Sequence, residues 1–394
     1  MSHAKVFLKR HPGGALRYAH PWIYRSQIAG VEGEPSIGAL VDIFSERGRY
    51  QATGYINPNS EISVRILVRD GRMIDQAFFT EKVTLAYEYR KRLVAESNAY
   101  RLISSEADGL PGLIVDVYGE VLVIQLLTAG MDVFRDKIVA ALKEVVPCRG
   151  IYERSDSGSR RIEGLEERVG WIEKSCGDAV VVVERDIEYR IEFGVGHKTG
   201  FYLDQKDNRF FLRDLKLTGT ALDVFCYEGS FGLHLAKSGM TVTGIEIQEE
   251  NIQRAQGHRD HNKIAPDRLQ FRCGNAFDLL REAEKAGEKY DLVILDPPSF
   301  VKKKAAVEGA LAGFKEILLR GMKLTKEHGL LAVFSCSYHV DDTLLLDVSM
   351  SAAMDTHKNL RILKFMKQSG DHPILPFIPE TYYLKGFLFE VSSL

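Results

Sequence analysis

The chain has 394 residues, a formal net charge of −2, and 45% hydrophobic and 27% charged residues. That length exceeds one ordinary core, so two or three domains are expected, and a near-neutral charge excludes a general nucleic-acid coat. No apolar run approaches the ~18 residues of a membrane span, and the opening MSHAKVFLKRHPGG lacks the apolar centre of a secretory signal.

Five cysteines, Cys148, Cys176, Cys226, Cys273 and Cys336, lie far apart with no CxxC spacing. They suggest neither a disulfide framework nor a metal site, and a reducing cytoplasm is the expected compartment.

Residues 1–72 alternate in short β-like runs, LVDIFS and ISVRILV, divided by turn text such as GVEGEPSIG and INPNS. A small β-barrel or β-rich module is expected there. Residues 1–30 hold Lys5, Lys9, Arg10, Arg17 and Arg25 with no acid, interleaved with Phe7, Tyr18, Trp22 and Tyr24. Cations beside aromatic faces suit phosphate contact and base stacking. A small β-domain with core aromatics and solvated charges explains the same text, and composition alone favours it slightly.

Residues 75–188 read as an α+β middle domain. A helix is expected over 75–94, where Phe78, Val83, Ala86, Tyr87 and Tyr89 fall near helical spacing. LIVDVY and VLVIQLL then pair as a hairpin about Tyr118-Gly119. ERSDSGSRRIEG, with Arg154, Arg160 and Arg161, reads as a solvated polar loop more readily than as a phosphate contact.

Residues 190–394 alternate apolar β-runs with helical text: TALDVFC, MTVTGIEI, RLQFRC, YDLVILD and GLLAVFSC, then NLRILKFM and YYLKGFLFEV. That pattern predicts an α/β, doubly wound, Rossmann-like parallel sheet. An amphipathic helix is expected over 205–216, with Phe210, Phe211 and Leu215 near one face.

Ligands of such sheets bind at the carboxyl ends of the strands. The first end reads DVFCYEGSFG: Asp223 and Phe225, then Gly229, Ser230 and Gly232 in the turn opening the next helix. A dinucleotide fingerprint wants a glycine where Tyr227 stands. The pattern D-x-F-x-x-x-G-x-x-G suits S-adenosylmethionine (SAM) better. Glu246 ends the second strand, where a carboxylate accepts from a ribose diol. Asn275 and Ala276 follow the third, where an adenine edge is expected. Asp296 follows the fourth, stiffened by Pro297 and Pro298. Each alone is explained as a helix cap; four in order argue for SAM. Upstream, 198–205, with Phe201 and Asp204, mixes glycine, aromatic and polar residues as a ligand lid does.

Cys336, in FSCS, ends the fifth strand beside the strand ending at Asp296. A lone cysteine is more often core filler. A thiolate beside a methyl donor has a chemical use, however: adding to carbon 6 of a pyrimidine, it makes carbon 5 nucleophilic. With the SAM site in place, the nucleophile is the favoured reading, and Asp296 is expected to hold the pyrimidine's polar edge.

These segments, HPWIYRSQI, SEADGLPGLIVDVYG, HKTGFYLDQKDNR, DVFCYEGSFG, LDPPSF and FSCS, resemble the family of PUA-domain-containing, SAM-dependent large-subunit ribosomal RNA methyltransferases of the cytosine carbon-5 type. The resemblance spans nearly the whole chain. It implies a PUA domain at 1–72, a substrate-recognising middle domain at 75–188 and a methyltransferase domain at 190–394. It implies Cys336 as nucleophile, with Asp223, Glu246 and Asp296 lining the SAM site. RNA contact is expected at Lys9, Arg10, Arg17, Trp22 and Arg25, and a homodimer is compatible with the sequence. Two features depart from relatives. Asn275 stands where an acid is common. Ser299 stands where two-cysteine RNA cytosine methyltransferases carry a cysteine, so a one-cysteine enzyme is implied, with no residue assigned as the proton-removing base. Rival readings are transfer to uracil carbon 5 or a guanine nitrogen, a SAM-binding RNA assembly factor with little turnover, and a nicotinamide oxidoreductase.

Overall fold

β-Branched and aromatic residues alternate with polar ones along the N-terminal runs, so each strand buries one face. The computed structural model describes residues 3–10, 20–173, 175–194, 199–299, 307–337 and 339–394. Compactness divides the chain into two units. One is Met1–Arg185, Arg190–Leu203 and Gly370–Thr381; the other is Asp186–Tyr189, Asp204–Ser369 and Tyr382–Leu394.

The first unit begins with β1 (Ala4–Leu8), β2 (Trp22–Ile23), β3 (Ile28–Glu32), β4 (Leu40–Phe44), β5 (Tyr50–Ile56) and β6 (Val64–Val68). They form one sheet in the order β2-β6-β5-β4-β1-β3. β1 runs parallel to β4 and the other pairs are antiparallel. Val6, Leu8, Val41, Ile43, Ala52 and Val64 make its core, which follows from the period of two.

Next come α1 (Gln76–Leu93), β7 (Ala99–Ser104), β8 (Leu113–Tyr118), β9 (Val121–Leu126), α2 (Ala129–Val133), α3 (Arg135–Val145), β10 (Gly150–Ser155), α4 (Gly158–Ile162), β11 (Arg168–Trp171), β12 (Ala179–Glu184) and β13 (Ile187–Glu192). Their five-stranded sheet has the order β11-β10-β9-β8-β7. Asp75 caps α1 by accepting from the Phe78 amide at 3.1 Å. The helix buries Phe78, Phe79, Val83 and Ala86, and also Arg90. Arg90 is tolerated inside because Asp108 takes its fork at 2.5 and 2.8 Å. β8 and β9 pair as the expected hairpin, with Gly119 at φ +58° in the turn.

One expectation fails here. The arginines of ERSDSGSRRIEG do not all lie in a solvated loop. Arg154 and Arg160 are buried. Arg160 donates to the Glu166 carbonyl at 2.7 Å and to Asp132 at 2.8 Å, and Arg154 donates to Asp156 at 3.0 Å. Only Arg161 of the three is exposed. Fixed acceptors that the fold brings together, Asp132 from 28 residues away among them, make burial of a guanidinium tolerable where composition alone suggests a loop.

The second unit holds α5 (Lys206–Asp214), β14 (Thr220–Val224), α6 (Ser230–Lys237), β15 (Thr241–Glu246), α7 (Glu249–His261), β16 (Leu269–Cys273), α8 (Ala276–Lys285), β17 (Tyr290–Leu295), α9 (Val307–Leu324), β18 (Thr325–Ser335), α10 (Asp342–Asp355), β19 (Lys358–Lys367) and β20 (Lys385–Ser393). The sheet order is β16-β15-β14-β17-β18-β20-β19. Strands β14 to β18 are parallel, and β20 inserts antiparallel between β18 and β19. From β14 the chain builds outward to β16, then returns to place β17 on the other side of β14. The topological switch point therefore lies between β14 and β17.

α5 differs from its predicted face. Phe210, Phe211 and Leu215 are only partly buried, and the buried residues are Lys206, Asn208, Arg209 and Leu212. Hydrogen bonds explain the inversion: Asn208 Nδ2 donates to Gln205 Oε1 at 2.6 Å and to the Lys367 carbonyl at 3.0 Å, and Ser369 Oγ accepts from the Asp207 amide at 2.8 Å.

Candidate active site

Parallel register lines the strand ends up on one edge of the sheet. Val224 pairs with Leu295 and with Ile245, and Leu295 pairs with Val333. The residues just beyond, Phe225, Glu246, Asp296 and Cys336, therefore share that edge.

Asp223 is buried in β14, and its Oδ2 accepts from the Gly232 amide at 3.2 Å, tying the strand to the first turn of α6. Burial pushes its carboxyl up to about 7; the charges of Asp296 and Glu246 push the same way, and the Gly232 hydrogen bond opposes them. Glu246 is held from both sides: Oε2 accepts from the Tyr227 amide at 3.1 Å and Oε1 from the Gln248 amide at 3.0 Å.

The intervening turn is left-handed at Phe225, Tyr227 and Gly229, with φ of +66°, +52° and +76°. Packing as well as ligand approach calls for the glycines here. A Cβ on Gly229 would lie 2.9 Å from the Phe271 ring, and one on Gly232 would lie 2.9 Å from Leu269 Cδ1. Ser230 opens α6 and is buried.

Asp296 is half-buried, and its Oδ2 accepts from Gln205 Nε2 at 3.0 Å. The loop after β17 meets the end of β18 through Ser299 Oγ and Ser337 Oγ, 2.9 Å apart. Cys336 lies between Ser335 and Ser337, one residue beyond β18, and is exposed and in no disulfide. Cys226 is the opposite kind of thiol: buried, and raised well above the ordinary range by burial, then by Asp223 and Glu246. Such a thiol is a core residue.

Asn275 is exposed, and its side chain caps α8 by accepting from the Phe277 amide at 2.9 Å. Ala276 is buried at the first position of that helix. Asp204 is buried: its carboxylate accepts from the Tyr383 hydroxyl at 2.8 Å and its carbonyl from the Ser369 amide at 2.8 Å. Phe201 is buried in the first unit, next to Thr199, whose hydroxyl is 2.8 Å from that of Tyr118. Lys198 and Phe300 lie outside the described residues.

Of the basic N-terminal candidates, Lys9, Arg10 and Arg25 are exposed and Arg17 lies outside the described residues. Trp22 is half-buried; its indole donates to Glu106 at 2.9 Å, and His20 and Tyr24 pack edge-on at 5.1 and 6.4 Å. Its ring is thus held in a fixed orientation.

Sequence reasoning gave Gln205 only as part of the 198–205 stretch, with no role of its own, and missed Tyr383 and Lys385. Gln205 orients Asp296, Tyr383 orients Asp204, and Lys385 is buried at the first position of β20, opposite Ser335. The signal for Lys385 was present: a lysine inside the apolar run YYLKGFLFEV.

The residues fit SAM. Three carboxylates gather where a cationic ligand would relieve their mutual repulsion, and the fixed Glu246 keeps lone pairs for a diol. Asp223, Glu246 and the turn 225–230 would hold it. Among the described residues, no group of three or more His, Cys, Asp or Glu side chains could hold a metal ion, and no helix is long and apolar enough to cross a membrane.

Comparison with known proteins agrees with this fold. Residues 6–69 match the PUA-like domain family and residues 216–372 a methyltransferase domain family. The chain is 37% identical to the ribosomal RNA large subunit methyltransferase I of Alteromonas mediterranea, over 99% of each chain. It is 37% identical to the protein of that name from Tolumonas auensis, over 97% of this chain and 98% of the other. A solved structure from Streptococcus mutans, described as a SAM-dependent methyltransferase, superposes with a TM-score of 0.82 at 19% identity, over 99% of this chain and 100% of that one.

Proposed function

The chain belongs to the ribosomal RNA large subunit methyltransferase I family, a family of SAM-dependent enzymes, and we propose that it methylates carbon 5 of a cytosine in large-subunit ribosomal RNA with Cys336 as covalent nucleophile. The observation that carries this reading is the placement of Cys336 and Asp296 at the ends of adjacent strands, joined through the Ser299 and Ser337 hydroxyls at 2.9 Å.

The Cys336 thiolate adds to carbon 6, and the electron pair of the carbon 5–carbon 6 bond is delivered to carbon 5. Asp296, oriented by Gln205, holds the polar edge of the base as charge moves onto it. SAM, when bound, supplies the methyl group. Carbon 5 then loses its proton and the sulfur–carbon bond breaks, returning the thiolate. The proton acceptor is not assigned to a residue. The base must leave its stack to reach such a pocket, so an unstacked nucleotide is the substrate.

The PUA-like match over residues 6–69 supports RNA binding by the first 72 residues, through Lys9, Arg10, Arg25 and the ring of Trp22. Residues 75–188 are read as substrate recognition and 190–394 as the catalytic domain. Asp204, Asp223, Phe225, Gly229, Ser230, Gly232, Glu246, Asn275, Ala276 and Phe201 are proposed for the cofactor. The cytoplasm is the proposed compartment. The homodimer compatible with the sequence would double the 44.3 kDa mass in light scattering; a monomer peak removes it.

The test uses unmodified large-subunit ribosomal RNA and radiolabelled SAM, with wild type and Cys336→Ala side by side, and mass spectrometry of the nucleosides. Label in 5-methylcytosine that the substitution abolishes supports the reading. Label that survives it, in another nucleoside, moves the target to a nitrogen and leaves Cys336 with no covalent role.

A further inference from the structure

Thiol addition to a pyrimidine requires a thiolate, and an exposed thiol of ordinary pKa, ~8.5, is only a few per cent ionised at pH 7. Among the described residues, the end of β18 has a buried cation beside it, Lys385. Lys385 starts β20, pairs with Ser335 across the β18–β20 ladder, and is 3% exposed. Its Nζ lies 3.5 Å from the Ser337 carbonyl and 3.4 Å from the Tyr383 carbonyl, with the Tyr382 ring at 5.4 Å. The side-chain nitrogen is thus held between the Ser337 carbonyl, one residue past Cys336, and the Tyr383 carbonyl of its own strand.

We propose that Lys385 is a positioning residue for the transfer: its side-chain nitrogen takes the proton of Cys336 and stays beside the sulfur as counter-charge to the thiolate. The S–H bond breaks and an N–H bond forms, with no net charge added to the site. The inference rests on the reading of Cys336 as nucleophile.

Burial is the main influence on Lys385 and lowers its proton affinity, which lets it exchange a proton with a thiol; Asp342, Asp341 and the Cys336 thiolate raise it. Interaction between two sites is reciprocal, so the charge of Lys385 must favour the thiolate as much as the thiolate favours the ammonium. Asp341 and Asp342 have partners of their own. Asp341 accepts from the Leu344 amide at 2.8 Å, capping α10, and Asp342 accepts from the Tyr382 hydroxyl at 2.9 Å. Lys367, opposite Lys385 on β19, is exposed and its charge is screened by water.

The test is alkylation of Cys336 by iodoacetamide from pH 5.5 to 10, followed by peptide mass spectrometry on the full chain without RNA. The proteins are wild type, Lys385→Met and Lys385→Arg. The midpoint is the readout, because thiolate nucleophilicity falls as its pKa falls and rates alone mislead. Wild type is expected about one pH unit or more below an ordinary thiol of ~8.5. Lys385→Met is expected to raise the midpoint by about a unit, and Lys385→Arg to leave it near wild type. A wild-type midpoint at or above ~8.5 overturns the proposal whether or not the variants fold; so does an unmoved midpoint in a folded Lys385→Met. Methyl transfer by Cys336→Ala separates the two ideas. An active variant with the Lys385 effect intact retires the nucleophile and keeps the ion pair. An inactive variant with no Lys385 effect retires Lys385 alone.

Discussion

Asp223→Asn should make the protein more stable at pH 8 and less stable, by ~1–3 kcal/mol, near pH 4. The carboxyl is fully buried in β14, and burial with the repulsion of Asp296 and Glu246 lifts it from 3.8 to about 7. Ionising it in the folded chain therefore costs on the order of 4 kcal/mol more than in the unfolded chain. The sign follows from proton counting. Between pH 3.8 and 7 the folded state holds a proton that the unfolded state has lost, so stability falls as pH rises through that window. Above about pH 7 the whole penalty is present; below pH 3.8 it vanishes. Asparagine removes the titration and keeps the shape, since its carbonyl can accept from the Gly232 amide as Asp223 Oδ2 does at 3.2 Å. Part of the gain is offset by an amide that must find a partner for its two protons, ~1–3 kcal/mol. A net rise of several degrees in Tm at pH 8 is expected, from ~2–4 °C per kcal/mol for a domain of this size. SAM affinity should fall, because a carboxylate that destabilises the empty fold is kept for a cationic ligand. The assay is a series of thermal melts from pH 4 to 8.5 for both proteins, with calorimetry for SAM. A stability difference independent of pH would sink the reasoning, as would a variant less stable than wild type at pH 8.

Three further outcomes are expected. Gly229→Ala places a Cβ at φ +76° and 2.9 Å from the Phe271 ring; denaturant melts should show a loss of ~2–4 kcal/mol. Gln205→Ala removes the 3.0 Å hydrogen bond to Asp296, worth ~1.5–3 kcal/mol with a charged acceptor; single-turnover transfer should slow by 10-fold or more, ~1.4 kcal/mol per decade, with RNA affinity unchanged. Replacing exposed Lys9, Arg10 and Arg25 together by alanine should weaken RNA binding and flatten its salt dependence by about 2 in log–log slope if all three touch phosphates; an unchanged slope in filter binding removes them from the interface.

Periodicity found the parallel strands of the seven-stranded sheet because both faces of a parallel sheet are covered. TALDVFC, MTVTGIEI and YDLVILD are near-continuous apolar runs, a signal that needs no partner to interpret. It did less well on α5, where Lys206, Asn208 and Arg209 are buried and Phe210 and Phe211 are not fully so. Hydrogen bonds from distant chain, at Lys367 and Ser369, decide that face, and no local window contains them. Arg160 was misjudged for the same reason: its acceptors Asp132 and Glu166 straddle it in sequence but converge only in the fold. Residue type and order put Asp223, Glu246 and Asp296 at the strand ends, where the structure has them. Their mutual repulsion could not be read, since it depends on three carboxylates meeting in space. Gly229 and Gly232 were legible as a turn, while the packing reason for them lies on β16, in Phe271 and Leu269.

The antiparallel strand explains why the end of β18 differs from the other strand ends. Each parallel strand delivers one residue to the catalytic edge as it leaves the sheet, and its partners are other carboxyl ends. β20 arrives from the opposite direction, so it delivers its first residue, Lys385, to the edge where β18 delivers Ser335 and then Cys336. A cation on any parallel neighbour would sit in a flexible loop beyond its strand. On β20 it is fixed by the ladder, packed near the Tyr382 ring, and separated from bulk water. Those are the conditions under which a charge keeps its effect on a neighbouring thiol instead of being screened. On the proposed reading, a thiol nucleophile at the end of β18 would obtain a fixed counter-charge from topology, and a target that needed no thiolate would have no use for a lysine buried there.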